Sequence, residues 1–136
     1  LLIIAESQLR LNGFDNGLSA LNNYRSFLNS LFPNSYQSLN ETDFQTGGIE
    51  NNDNLNPSDA LLKEILEEKY IMLFGTTEVF SDIRRTLSDV NSKVNLTPNT
   101  GTELPQRFLY PQSEIDRNSN APNPIPGFFE PTQINK

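Results

Sequence analysis

The sequence predicts an all-α fold: a helical hairpin over residues 1–32, a loop over 33–56, a long third helix over 57–88 and a proline-rich irregular tail over 89–136. Two observations carry that prediction. Apolar residues return at spacings of three and four in three separate stretches, which is the period of a helix with one buried face. Six prolines lie from Pro98 to Pro126, with another at Pro131, and that density forbids both regular helix and central strand.

The first helix runs from Leu1 to about Asn12, with an expected apolar face of Leu1, Ile4, Ala5, Leu9 and Leu11. Asn12-Gly13 supplies its stop, because glycine tolerates the positive φ that ends many helices. Leu1 has no capping residue ahead of it, so the start reads as cut through a helix. The second helix begins near Asp15 or Asn16 and closes before Pro33, with Leu18, Leu21, Tyr24, Phe27, Leu28 and Leu31 on its apolar side. A connection of about three residues makes the two helices fold back on each other. Residues 33–56 lose all periodicity and read as a long surface loop, with Gly47-Gly48 as a flexible point. The third helix opens on Asn56-Pro57-Ser58-Asp59, a cap, a first-turn proline and an acid at the positive end of the helix dipole. Its stripe is Leu62, Ile65, Leu66, Tyr70, Leu73 and Phe74, with Lys63, Glu64, Glu67 and Glu68 largely off it. Gly75-Thr76-Thr77 weakens the helix and allows a kink or the close approach of a neighbour, after which Phe80, Ile83 and Leu87 resume the stripe. In the tail, Phe108 and Tyr110 share one side of an extended segment and are expected to bury against the helices as anchors.

Composition narrows the chemistry. A net charge of −7 makes a nucleic-acid backbone an unfavourable partner, and Arg84-Arg85 alone is no basic patch. With neither cysteine nor histidine, thiolate catalysis, serine–histidine relays and the usual zinc sites cannot be assembled from these residues. An oxygen-only calcium site among the acids and amides of residues 50–59 is the remaining easy metal, yet that run lacks the central glycine and terminal glutamate of an EF-hand loop. The sequence therefore predicts no metal and no cofactor. No apolar run approaches the roughly 18 residues that span a bilayer.

Four passages carry a family likeness: "IIAESQLRLNG" with "ALNNYRSFL", then "EILEEKYIMLFG", then "FSDIRRTL", and "LPQRFLYPQSEIDRN". In that order they resemble the C-terminal part of the SusD/RagB family, the surface-exposed nutrient-binding lipoproteins of Bacteroidetes outer membranes. The motif positions are Glu6 in the first helix, Asn22 and Arg25 in the second, Phe80, Asp82 and Arg85 at the end of the third, and Arg107, Tyr110 and Glu114 in the tail. The chain departs from the pattern at two positions: many relatives have tryptophan where Phe80 stands and arginine where Val79 stands. The resemblance implies TPR-like helix pairs and a lipid anchor outside this chain. It implies nutrient binding, of a glycan above all, and delivery to a SusC-like TonB-dependent transporter, with no chemistry performed. It assigns no ligand-contacting residue, and it makes this chain roughly the last quarter to third of such a protein.

The motif residues admit two readings each. Glu78 and Asp82 lie one turn apart, so a carboxylate pair at glycosidase spacing is conceivable. Both acids sit on one surface of one helix, and a bracing role is favoured. Within that role, Arg84 or Arg85 is expected to hold tail carbonyls or Glu114, because a proline-rich tail cannot satisfy its own carbonyls and a guanidinium has five donors. Asn22 and Arg25 can meet ligand hydroxyls, cap a neighbouring turn or pair with Glu6; the structural roles are favoured. Sugar stacking on Phe108 and Tyr110 is the alternative to core anchoring. Beside the nutrient-binding reading stand a TPR-like peptide-binding module and, less favoured, a glycoside hydrolase.

Overall fold

A computed structural model describes residues 1–99 and 101–132. Among these residues the regular structure is entirely helical: α1 (Leu2–Asn12), α2 (Phe14–Leu31), α3 (Pro57–Met72), α4 (Thr77–Arg85) and α5 (Gln112–Arg117), with a 3-10 turn at Glu41–Phe44. The expected placement of residues 133–136 in the tail lies outside the described residues.

Gly13 alone separates α1 from α2, with φ at 86°, a left-handed value that a Cβ would strain. The helices then meet closely. Gly17 is buried, and a Cβ there would lie 2.6 Å from Leu9 Cβ and 3.0 Å from Leu9 Cα. Glycine at this position is therefore a contact residue between helices. The face that α1 buries is Leu2, Ala5, Glu6 and Leu9. The expected stripe was rotated by a residue: Ala5 and Leu9 are in it, whereas Leu1, Ile4 and Leu11 are exposed. Four apolar residues in succession at Leu1–Ile4 allow more than one register, and the ionic partners of Glu6 decide between them.

α3 begins where Asn56 Oδ1 accepts the Asp59 N–H at 3.0 Å, with Pro57 in the first turn. It buries Ala60, Leu61, Leu62, Ile65 and Leu66 against Leu2, Ala5 and Leu9 of α1 and Leu21 and Tyr24 of α2. The long third helix is not continuous. It stops at Met72, and Gly75 takes φ 83° in a turn closed by Thr76 N–H and Thr76 Oγ1 to Leu73 O at 3.0 and 2.7 Å. A break replaces the expected kink, and Phe74, expected on the buried stripe, is exposed.

Residues 33–56 are more than a surface link. Phe44 is fully buried in the core and Leu39 nearly so, and the Phe44 ring meets Phe14 edge to face at 5.8 Å. Asn51, also buried, donates to Phe44 O and Leu55 O at 2.8 Å each and accepts from Leu55 N–H at 2.7 Å. One amide thus supplies three hydrogen bonds that close the segment on itself. A Cβ on Gly48 would lie 2.3 Å from Asp43 O, so this glycine is fixed by contact, contrary to the flexible point expected.

Candidate functional site

The motif residues of the first and third helical passages meet in one ionic network. Glu6 of α1 is buried. It accepts four hydrogen bonds from three cations: Arg10 Nε at 3.0 Å, Lys69 Nζ at 3.0 Å, and the Arg85 fork at 2.7 and 2.9 Å. Asp82 Oδ1 accepts from Lys69 Nζ at 2.9 Å and from Arg85 at 2.6 Å. Arg10 also reaches Asp89 at 2.5 Å. Three acids and three bases thus balance where α1, α3 and α4 join. Burial alone would raise the Glu6 pKa, but the Arg85 and Lys69 hydrogen bonds and charges outweigh it and hold the carboxyl at about 2. The hydrogen bonds that Arg85 donates to Glu6 and Asp82 in turn push its pKa upward against its burial.

A carboxylate whose acceptor sites are taken has no proton to give at neutral pH, so Glu6 is built to hold and not to transfer. Glu78, which the sequence set beside Asp82 as a carboxylate pair, is exposed in the first turn of α4. Its own backbone N–H holds its pKa below the usual value, helped by Thr76, which is opposite to what a general acid needs. No group of three or more His, Cys, Asp or Glu among the described residues is placed to hold a metal ion.

Among the described residues, Arg85 does not reach the tail. The expectation that Arg84 or Arg85 binds tail carbonyls or Glu114 is corrected on both counts. The guanidinium on the tail is the tail's own Arg107, which donates to Glu130 O at 2.8 Å and Pro131 O at 2.9 Å. Glu114 of α5 accepts from Asn118, the residue that follows the helix. Arg84 lies over the Phe80 ring at 5.3 Å. Sequence spacing had offered Arg85 only its helical neighbours and the unsatisfied tail; its main partner, Glu6, is 79 positions away.

The second motif pair lies on α2. Asn22 brackets Leu39 with two hydrogen bonds of 2.8 Å, its amide donating to Leu39 O and its carbonyl accepting from Leu39 N–H. Arg25 donates to Gln37 O at 2.8 Å and pairs with Glu64 at 3.4 Å and with Glu68 on α3. Of the partners weighed for this pair, a neighbouring turn is found and Glu6 is not. Glu64 and Glu68, expected off the buried stripe, are largely covered by these contacts.

Phe108 is 70 % exposed and Tyr110 only half-buried, so the expected burial of both as core anchors is corrected. Phe108 instead lies on Phe80, ring centroids 4.6 Å apart. An extended tail held by its own carbonyl contacts needs no deep anchor. Between the chain following α4 and the tail opens a cleft of about 800 Å³ lined in part by Lys93, Asn95, Thr97, Glu103, Gln106 and Phe129. The sequence reading placed no cleft here, and the Thr-, Asn- and Pro-rich run around it was its only signal.

No known protein family, no curated protein and no solved structure matches the chain. No described helix is long and apolar enough to cross a membrane.

Proposed function

We propose that this chain is the C-terminal helical part of a SusD/RagB-like protein that binds nutrients, glycans above all, at the outer-membrane surface and passes them to a SusC-like TonB-dependent transporter. The observation that carries the reading is the convergence of motif positions far apart in sequence. Glu6 meets Asp82 and Arg85 through Lys69 and the Arg85 fork, and Asn22 and Arg25 fasten adjacent backbone. Residues that recur together in a family and touch one another are explained by a shared framework. In this reading the α1–α2 hairpin is a TPR-like pair, and the protein binds and hands over without chemistry. The cleft beside Phe129 suits a glycan in size and lining: amide and hydroxyl side chains for sugar hydroxyls and an aromatic face for the ring. A lipid anchor outside this chain gives the membrane attachment.

One observation favours a second reading. Leu1, Ile4 and Leu11 form an exposed apolar strip along α1, which suits a TPR-like peptide-binding module. The two readings separate on the protein that carries this chain, purified from outer membranes and titrated with oligosaccharides. Co-purification of a large transporter barrel and saturable sugar binding without cleavage are expected. Release of new reducing ends would make it a glycoside hydrolase, and peptide binding with neither sugar nor barrel would favour the interaction module.

A further inference from the structure

Where α2, α3 and residues 33–56 meet, carboxylates outnumber cations. Arg25 Nη1 of α2 lies 3.4 Å from Glu64 Oε1 and also contacts Glu68 Oε1, and these two acids stand one turn apart on α3. Arg25, Glu64 and Glu68 side chains are all at least four-fifths covered. Glu50, from residues 33–56, adds a third negative charge facing Glu64. Tyr24 of α2 faces Glu68, and Tyr36 faces Tyr24. Lys63, the other cation near Glu64, is held by Asp53 and lies 3.9 Å from Glu67.

Glu68 Oε2 is closed to solvent and has no hydrogen-bond partner. A buried carboxylate oxygen left unpaired is costly, and the guanidinium contacts go to Oε1 of each acid. The neighbouring group is the Glu64 carboxyl, one turn away on α3 and on the same Arg25 Nη1, and it can donate only if it carries a proton.

We propose that Glu64 keeps its proton at neutral pH and donates it to Glu68, so that carboxyl, carboxylate and guanidinium form a latch holding residues 33–56 to α2 and α3, released as the solution turns alkaline. With the proton in place the triad is neutral, and Arg25 is free to hold Gln37 O beside the Asn22–Leu39 pair. Without it, two carboxylates share one guanidinium while Glu50 repels Glu64, and the nearest relief is movement of Glu50 and its segment. A small cavity of about 60 Å³ lined by Glu50, Asn51, Asp53, Lys63 and Glu64 gives water access to the proton. The electrostatics agree in direction. Burial, then Glu50 and Glu68, push Glu64 up to about 8 against the pull of Arg25, and burial pushes Glu68 upward as well. An acid raised in the folded state stabilises fully below its ordinary range near 4.5, and that contribution is lost as pH rises through about 8.

The test uses the full chain. Carbon-13 NMR of the glutamate carboxyl groups should show Glu64 titrating with a midpoint between 7 and 9, values following from the folded-state shift; a midpoint near 4.5 overturns the proposal, whatever any variant does. Hydrogen exchange at the Leu39 and Leu55 amides should then speed up at pH 9, relative to Glu64→Gln at the same pH, by about tenfold or more. Glu64→Gln, whose amide donates at any pH, should keep both amides protected. Equal exchange in both proteins at pH 6 and pH 9 would mean that the proton holds nothing.

Discussion

Glu6 accepts from cations on three helices, and its side chain is 6 % exposed, so the replacement of this one residue strands Lys69 and Arg85 together. Removing one partner of a buried ionic network costs about 3–5 kcal/mol, and urea unfolding of Glu6→Gln should lose that much. Arg85 is different, because its side chain is 44 % exposed and water can replace part of what it gives. Arg85→Ala is expected to cost about 1–3 kcal/mol, and Arg85→Lys should recover less than half. An ammonium cannot span both Glu6 oxygens as the fork does. Full recovery by lysine would mean that charge alone matters at that position. At this scale a contact within one helical turn was legible, but the contacts across the fold were not. Helical spacing pointed Arg85 to Asp82, whereas Glu6 lies across the fold, and no local rule reports a contact between distant stretches.

At the scale of the element, the helix starts and stops written in Asn12-Gly13, Pro33 and Asn56-Pro57 were legible, since capping and φ restriction are local chemistry. What escaped was whatever tertiary contact decides. Gly17 looks like a weak point in a helix, yet its missing Cβ lets α2 approach Leu9. Gly17→Ala improves helix propensity by about 1 kcal/mol but drives a Cβ into the backbone and Cβ of Leu9, and overpacking of this kind costs about 1–3 kcal/mol. The net expected outcome is a lower melting temperature, with α1 more exposed to proteolysis. A gain in stability would show that the helices separate at no cost. Residues 33–56 were misread for a related reason: Phe44 and Leu39 are isolated apolar residues in a polar run, and periodicity cannot detect a single side chain that reaches the core. Asn51→Ala should expose how much that segment contributes. It leaves Phe44 O, Leu55 O and Leu55 N–H without their partner, at about 1–3 kcal/mol for each group that water cannot reach, and the loss should appear in thermal unfolding.

The whole molecule carries two strongly perturbed carboxyl groups, Glu6 on α1 and Glu64 on α3, shifted in opposite directions, and together they shape its stability against pH. Glu6 is held at about 2 in the folded chain against an ordinary 4.5. The folded state therefore binds fewer protons than the unfolded one in that window, and stability rises with pH up to about 4.5 and falls as pH drops toward 2. Glu64, raised to about 8, has the reverse sign: the folded state holds the extra proton between 4.5 and 8, and stability declines across that range. Their sum has its maximum near pH 4 to 5, more acidic than the usual range of about 5 to 8. Denaturant unfolding from pH 2 to 9 should show both limbs. Glu6→Gln should flatten the acid limb and leave the alkaline one, and Glu64→Gln should do the opposite. The two groups share no partner in the structure, so the double variant should behave as the sum of the singles. An alkaline limb that persists undiminished in Glu64→Gln would place the titrating group elsewhere, and an acid limb unchanged in Glu6→Gln would mean that the joint of α1, α3 and α4 does not depend on that charge.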